Sequence, residues 1–247
     1  MLKVSIVLHL SCNRTCPYCY LGPVAHTQQY SDSEMMIHLK KCVKALERVH
    51  GTDWIPQIKG GEPTYWSPTF IKDVMKLFEK YPYKEIMTNG SNKDTPWYQD
   101  PTYHMITHIV DWEPDIDVLH QKVQELLPQE HGLIVVTQEL LSTVLQYIKK
   151  YPDDDITLNP SRGAGPVYDL TEEQVALLGD YVDVVYTDLY KDQCTYPIIE
   201  VQCEREEIRP CCMNYSDFVK ADYYTGQKPD CQACHQLSKN LDVSETE

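Results

Sequence analysis

The sequence from residue 11 to residue 20 reads Ser11-Cys12-Asn13-Arg14-Thr15-Cys16-Pro17-Tyr18-Cys19-Tyr20. It directly follows an apolar run, Lys3–Leu10, which predicts a buried strand. Loops at the carboxyl ends of parallel strands are where α/β folds bind ligands. Three thiolates spaced four and then three residues apart can converge on one iron–sulfur cluster, and they leave one iron of a four-iron cluster open to a small molecule.

The length and composition of the chain indicate a globular protein. Its 247 residues suffice for one large domain, or for one domain with a small appendage. A hydrophobic fraction of 42% and a charged fraction of 24% are typical of soluble domains. The formal net charge of −15 argues against a broad basic surface for nucleic acid, although a local basic groove stays compatible with it.

Ten cysteines are unusual for a chain that we expect to stay in the cytosol. The first apolar run is too short for a signal peptide, and no run of about 18 apolar residues predicts a membrane span. Because cytosolic thiols are kept reduced, metal or cluster ligation is favoured over disulfides. Three cysteines lie in the first loop, six lie between residues 194 and 234, and only Cys42 lies between the two groups.

Apolar runs alternate with helical patterns along the first part of the chain, which predicts an α/β fold with a parallel sheet. Several of the apolar runs are rich in β-branched residues, as strands covered on both faces should be. Six such units predict a partial (β/α)6 TIM-like barrel. The predicted strands are Lys3–Leu10, Trp54–Lys59, Lys84–Thr88, His104–Val110, Gly132–Thr137, Asp155–Asn159 and Val182–Tyr186, and the predicted helices cover 31–50, 68–80, 115–127, 138–150 and 172–182.

The pattern changes after about residue 190, so we divide the chain into three parts. Residues 1–190 are predicted to form the partial barrel, 191–240 a small Cys-rich C-terminal extension, and 241–247 a disordered tail. Within the extension, Ile198–Cys203 and Ile208–Met213 are compatible with a hairpin. Cys42 shares a helical face with apolar residues and is expected in the core.

The spacing of Cys12, Cys16 and Cys19, with an aromatic residue before the last cysteine, resembles the signature of the radical S-adenosylmethionine (SAM) superfamily. The resemblance implies a [4Fe-4S] cluster whose open iron chelates the amino and carboxylate groups of SAM. It also implies reductive SAM cleavage to a 5′-deoxyadenosyl radical, which abstracts hydrogen from substrate. The alternatives are reduced core cysteines or a zinc site completed by His9 or His26.

Three further landmarks fit this resemblance. Gly60, Gly61 and Glu62 follow the second predicted strand, where the family places a Gly-Gly-Glu that contacts the SAM amino group. The resemblance also implies that Thr88 and Asn89, after the third strand, line the SAM pocket, and that Thr107 and His108 supply polar groups near SAM. His108 has a second interpretation as a hydrogen-bonded core histidine. The glycine-rich adenine motif of the family is not recognisable in Gly132–Thr137.

The C-terminal cysteines resemble the twitch or SPASM extension of radical SAM enzymes, which holds an auxiliary iron–sulfur cluster. That resemblance makes Cys194, Cys211, Cys231 and Cys234 the leading ligands, with Cys212 as a competitor of Cys211. Glu206 stands where the family has a turn glycine. A structural zinc site, with His235 available as a ligand, is the alternative.

The resemblance implies an enzyme that modifies a peptide or protein and that receives electrons from a donor such as flavodoxin or ferredoxin. Modification of a nucleobase or nucleic acid, as in viral DNA hypermodification, is the second hypothesis. Activation of a glycyl-radical enzyme is a third. A zinc-stabilised binding module is the non-enzymatic alternative; it explains the cysteines but not the Gly-Gly-Glu at a strand end.

Overall fold

The computed structural model describes residues 2–19, 30–111, 114–161, 167–182, 198–209 and 219–223. Its strands are β1 Leu2–Val7, β2 Trp54–Lys59, β3 Lys84–Thr88, β4 Tyr103–His108, β5 Glu130–Val136, β6 Ile156–Pro160, β7 Ile198–Gln202, β8 Glu207–Arg209 and β9 Val219–Lys220. Its α-helices are α1 Asp32–His50, α2 Pro68–Phe78, α3 Pro96–Gln99, α4 Ile116–Gln124, α5 Leu141–Lys150 and α6 Glu172–Ala176, and short 3-10 turns cover Pro63–Tyr65, Gly179–Tyr181, Cys203–Arg205 and Ala221–Tyr223.

These strands form one mostly parallel sheet in the order β6-β5-β4-β3-β2-β1-β7-β8-β9. The first six strands are parallel and follow the chain order, as the alternation of strands and helices predicts. Strand β7 adds to the other side of β1, again in parallel, and β8 and β9 continue from it in antiparallel. The α/β class with a parallel sheet is therefore confirmed.

One face of the sheet packs under the helices, and the other, which we call the polar face, carries polar side chains among apolar ones such as Val7 and Ile106. Val4, Ile6, Ile58, Ile86 and Met105 alternate along β1 to β4 and are buried in a single core. The expectation of strands that are apolar on both faces holds for part of the sheet: neighbouring residues Leu133 and Ile134 of β5 are both buried, whereas in β1 to β3 the core residues alternate with Ser5, Gln57 and Glu85. A period of two is typical of sheets with one apolar face.

The polar face carries a chain of hydrogen bonds across its central strands. Ser5 and Gln57 lie opposite each other in the β1–β2 register, and the Ser5 hydroxyl donates to the Gln57 carbonyl at 3.5 Å. The Gln57 amide donates to the Glu85 carboxylate at 2.7 Å, and the Lys3 ammonium reaches the same oxygen at 3.1 Å. The buried polar side chains of Ser5, Gln57 and Glu85 therefore have partners.

Helix boundaries follow their capping residues. Ser31 and Glu34 form the predicted capping box before α1, and Ser67 caps α2, whose first residue is Pro68. The second predicted box, Thr171 with Gln174, opens α6, which is shorter than predicted. Cys42 is fully buried on α1, as predicted.

The C-terminal hairpin is confirmed in its described part. β7 and β8 pair in antiparallel around the turn at Cys203–Arg205, and Glu206 after it has a left-handed φ of 52°. Of the predicted strand Val182–Tyr186, the described part shows a single bridge, between Leu158 and Val182. Residues 183–197 and the predicted tail lie outside the described residues.

No helix among the described residues is long and apolar enough to cross a membrane.

Candidate functional site

Two loops cross at the carboxyl edge of the sheet, where the cysteine loop (residues 11–19) follows β1 and the Gly-Gly-Glu turn (residues 60–62) follows β2. The Gly61 N–H donates to the His9 carbonyl at 2.9 Å, and the Glu62 N–H donates to the Ser11 carbonyl at 2.8 Å. The strand ends of β1 and β2 are adjacent in the sheet, so the backbone itself joins the two predicted motifs.

Both glycines are required by this crossing. A Cβ on Gly60 would lie 2.3 Å from the His9 carbonyl oxygen, and one on Gly61 would lie 2.1 Å from the Ser11 carbonyl oxygen. Such distances are shorter than any real contact. The absence of side chains at the two glycines therefore lets the Gly-Gly-Glu turn lie directly against the backbone of the cysteine loop.

The Glu62 side chain is 1% exposed and ties the turn to β3. Its Oε1 accepts from the Thr64 N–H at 3.0 Å, from the Thr64 hydroxyl at 2.7 Å and from the Thr88 hydroxyl, and its Oε2 accepts from the Asn89 N–H at 2.7 Å. In the part of the chain that the structure describes, no lysine or arginine pairs with this carboxylate. A buried negative charge with only neutral donors favours a cationic ligand.

The loop after β3 also holds the cysteine loop. The Asn89 side-chain amide donates to the Asn13 side-chain carbonyl at 2.9 Å, and the Asn13 amide donates to the Ser91 hydroxyl at 3.1 Å. Gly90 between them has a φ of 66°, a conformation that favours glycine. Thr88 and Asn89, predicted to line a SAM pocket, thus bond to Glu62 and to the cysteine loop.

A salt bridge joins the cysteine loop to the segment after β4. The Arg14 guanidinium meets the Asp111 carboxylate with two bonds, Nη1 to Oδ1 at 2.8 Å and Nη2 to Oδ2 at 2.7 Å. This pair holds the pKa of the Asp111 carboxyl below its usual value. The sequence reasoning missed Asn13, Arg14 and Asp111, although the first two lie inside the cysteine motif.

The three loop cysteines are half-buried. Burial raises the pKa of Cys12 and of Cys16, and the neighbouring cysteines raise it further, because nearby thiolates repel one another. Arg14 acts in the opposite direction on Cys16. The carboxylate of Glu62 also raises the pKa of Cys12, which places that negative charge beside the loop.

The donor set of this loop is of the type that iron–sulfur clusters use, since cysteine thiolates are their usual protein ligands. Among the described residues, no group of three or more His, Cys, Asp or Glu side chains is arranged around one ion. In a cluster each thiolate binds a different iron, so three thiols spread over one loop are suitable.

His9 does not supply the zinc ligand of the alternative hypothesis. Its ring packs against Phe70 at 4.8 Å, and its Nε2 bonds to the Asp32 carboxylate at 3.0 Å. Burial lowers its pKa. His26, the other candidate, lies outside the described residues.

Thr107 and His108 differ in their surroundings. The Thr107 hydroxyl is buried and donates to the Glu130 carboxylate at 2.9 Å, on the face that the helices cover. His108 lies on the polar face, and its Nε2 is buried without a hydrogen-bond partner. Burial, together with the charge of Lys59, lowers the pKa of His108 to about 4, so the ring is neutral at physiological pH.

A cavity of about 510 Å³ adjoins the cysteine loop at the ends of β4 and β5. Its lining includes Cys16, Tyr18, Val110, Thr137 and Tyr168, together with the Arg14–Asp111 pair. A larger groove, about 910 Å³, lies between α1 and α2 and has no cysteine in its lining. The smaller cavity is the one placed to serve the cysteine loop.

The predicted auxiliary ligands are not part of the described structure. Cys194, Cys211, Cys212, Cys231 and Cys234, and the alternative ligand His235, all lie outside the described residues. Cys203, which the sequence places in the hairpin, is fully buried beside Cys42.

The fold of the chain is similar to those of solved structures that contain bound AdoMet (SAM). It is similar to anSMEcpe with bound AdoMet (SAM), with a TM-score of 0.56 and 15% identity over 85% of this chain and 74% of that chain. It is also similar to Streptococcus suis SuiB bound to S-adenosylmethionine, with a TM-score of 0.54 and 12% identity over 85% of this chain and 60% of SuiB.

Two related structures contain peptides. One is anSMEcpe with AdoMet and the Cp18Cys peptide, with a TM-score of 0.55 and 16% identity over 85% of this chain and 74% of that chain. The other is SuiB bound to the precursor peptide SuiA, with a TM-score of 0.54 and 13% identity over 85% of this chain and 59% of SuiB. No protein-family model matches the chain, and no curated protein matches it.

Proposed function

We propose that this chain is a radical SAM enzyme whose SAM-binding cluster is held by Cys12, Cys16 and Cys19. The cluster supplies the electron that cleaves bound SAM to methionine and a 5′-deoxyadenosyl radical, which takes a hydrogen atom from substrate. The observation that carries the proposal is that the cysteine loop, with its three thiols, meets the turn of the buried Glu62 at one edge of a fold similar to those of SAM-bound structures.

The remaining residues of the site bind and orient SAM. The Glu62 charge attracts the cationic end of SAM, while Gly60 and Gly61 hold the turn against the cysteine loop. Thr88 and Asn89 fix the Glu62 carboxylate through hydrogen bonds. The cavity of about 510 Å³ beside Tyr18 has the size and position for the nucleoside. His108 contributes an unpaired ring nitrogen at the polar face.

A peptide or protein is the proposed substrate. Both anSMEcpe and SuiB share the fold and have structures with bound peptides. The net charge of −15 disfavours nucleic acid. An electron donor such as flavodoxin or ferredoxin would complete the system.

The C-terminal cysteines are proposed to hold an auxiliary iron–sulfur cluster of the twitch or SPASM type. Its ligands would be Cys194, Cys231 and Cys234, with either Cys211 or Cys212 as the fourth. Zinc is the competing metal.

Anaerobic reconstitution tests the SAM-binding cluster. Wild-type protein should bind iron and sulfide, and SAM should change the electron paramagnetic resonance spectrum of the reduced protein. Cys16→Ser should lose this response and SAM cleavage, whereas Cys42→Ala, which removes a buried core thiol, should keep both. Wild-type protein with zinc and no iron would overturn the proposal.

The substrate class is tested by isotope transfer. Peptides and nucleosides deuterated at candidate positions are incubated with reduced enzyme and SAM. Deuterium in 5′-deoxyadenosine from a peptide supports the proposal, and deuterium from a nucleoside alone contradicts it.

The auxiliary cluster is tested separately. Cys231→Ala should halve the iron content while SAM cleavage continues. An unchanged iron content would overturn the auxiliary cluster and leave the first cluster in place.

A further inference from the structure

Arg14 lies between the first two loop cysteines and is fixed in orientation by Asp111. Its guanidinium makes two parallel bonds to the carboxylate, at 2.8 and 2.7 Å. A planar guanidinium that bonds through two nitrogens defines direction as well as distance. The Arg14 N–H also donates to the Cys12 sulfur at 3.4 Å, so backbone and side chain connect the first cysteine to the segment after β4.

The backbone of Asp111 is shaped to meet this arginine. Asp111 has a φ of 59°, in the left-handed region that L-residues other than Asn and Asp rarely adopt. It stands three residues beyond the end of β4. The conformation is costly for most side chains, which suggests that the position is held for its contact with the cysteine loop.

The pair also borders the cavity proposed for the nucleoside. Arg14 and Asp111 both line it, next to Cys16 and Tyr18. The Arg14 Nε is buried and has no hydrogen-bond partner. The salt bridge therefore stands where the cysteine loop meets the cavity.

We propose that Arg14 and Asp111 form a positioning clamp that sets the cysteine loop against the end of β4. Asn13 bonds the same loop to Asn89 and Ser91, in the segment after β3. The loop is therefore held by contacts with the segments that follow two strands, β3 and β4. With both tethers in place, the loop thiols and the cavity keep one relative orientation. The catalytic meaning of this clamp rests on the proposed function, whereas its effect on the loop does not.

Hydrogen exchange on the cluster-free protein measures the clamp without any cofactor. Asp111→Asn keeps a residue that tolerates the left-handed backbone but offers one acceptor in place of two, and Asp111→Gly keeps the backbone with no acceptor. Amide exchange in residues 11–19 should rise several-fold in the Asn variant and further in the Gly variant. Asp117→Asn, which breaks a surface pair with Lys150, is the control and should leave these amides unchanged.

The second readout is SAM affinity after reconstitution. Asp111→Asn should bind the same amount of iron as the wild type but bind SAM about ten-fold more weakly, and Arg14→Lys should show a similar loss because lysine does not form the paired bonds. Unchanged exchange in residues 11–19, or unchanged SAM affinity in both variants, would overturn the clamp. Wild-type protein without iron would instead overturn the proposed function, and the exchange result would stand.

Discussion

Glu62 is the residue whose role in the site has the most direct physical basis. It is a buried carboxylate that accepts four hydrogen bonds from neutral donors. Glu62→Gln puts an amide N–H in place of an acceptor, most readily facing the Asn89 N–H. We expect a loss of about 2 kcal/mol in unfolding free energy, measured by urea denaturation, because one buried donor loses its partner. SAM affinity should fall at least ten-fold.

Glu85→Gln is the matched control for this substitution. Glu85 is also buried, but it lies on the polar face and bonds to Gln57 and Lys3. Its variant should lose stability and keep SAM affinity. Equal SAM affinity in the Glu62 variant and the wild type would show that the carboxylate serves the fold alone.

His108 gives the protein a specific pH dependence. Its pKa is about 4 in the fold and about 6.5 in the unfolded chain, because its ring nitrogen is buried. As the pH falls below 6.5 the unfolded chain takes up this proton first, so stability decreases toward pH 4. The wild type should lose unfolding free energy between about pH 7 and about pH 5.5, and the His108→Gln variant should lose roughly 1 kcal/mol less over the same range. Urea unfolding of the cluster-free protein measures this difference. An identical pH slope in both proteins would contradict this assignment.

At the residue level, the sequence predicted the position of Glu62 and the loop cysteines but not what they contact. The spacing of the motifs predicts which residues stand at strand ends. That was sufficient to predict that the Gly-Gly-Glu turn lies next to the cysteine loop. The partners of Glu62 depend on side-chain and backbone directions in its own turn and at the end of β3. For the same reason the sequence did not reveal that the Thr107 hydroxyl bonds to Glu130 on the helix-covered face.

At the scale of elements, the crossing of the two loops makes a sharp prediction for Gly61. Gly61→Ala would place a Cβ 2.1 Å from the Ser11 carbonyl oxygen, so the backbone must separate. We expect a loss of more than about 3 kcal/mol in unfolding free energy, together with loss of iron binding.

Gly51→Ala serves as the control for this glycine. Gly51 has a φ of 61°, and an added Cβ there would meet no atom within 4 Å. The Gly51→Ala substitution should lower the unfolding free energy by about 1 kcal/mol, from backbone strain alone, and should leave iron binding intact. Equal losses in the two variants would argue against a specific role for the crossing.

Element boundaries were predicted best where the local signals are strong. β2 and β3 have the predicted bounds, and the Ser31 capping box fixes the start of α1. Helix α3 was missed because its four residues are too short to show a helical period. The turn at Glu206 shows how a residue replaces the expected glycine: its carboxylate bonds to His38 and Lys41 of α1, which offsets the left-handed backbone.

On the scale of the whole molecule, the order of β1 to β6 follows from the alternation of strands and helices, since right-handed crossovers place successive strands side by side. The pairing of β7 with β1 does not follow from that rule. It joins residues 198–202 to the start of the chain, and periodicity contains no information about such a distant partner. The predicted Cys-rich extension therefore contributes β7, β8 and β9 to the main sheet.

The last prediction concerns the stability of the whole chain when SAM binds. A ligand that binds only the folded state at about 100 times its Kd adds about 2.7 kcal/mol, which corresponds to a rise in Tm of roughly 5–10 °C for a protein of this size. Reconstituted wild-type protein should show this rise by calorimetry under anaerobic conditions. The triple variant Cys12→Ser, Cys16→Ser, Cys19→Ser should show little of it, because the proposed open iron supplies much of the affinity. Cys42→Ala should respond like the wild type, and an equal shift in the triple variant would mean that SAM binds without the cysteine loop.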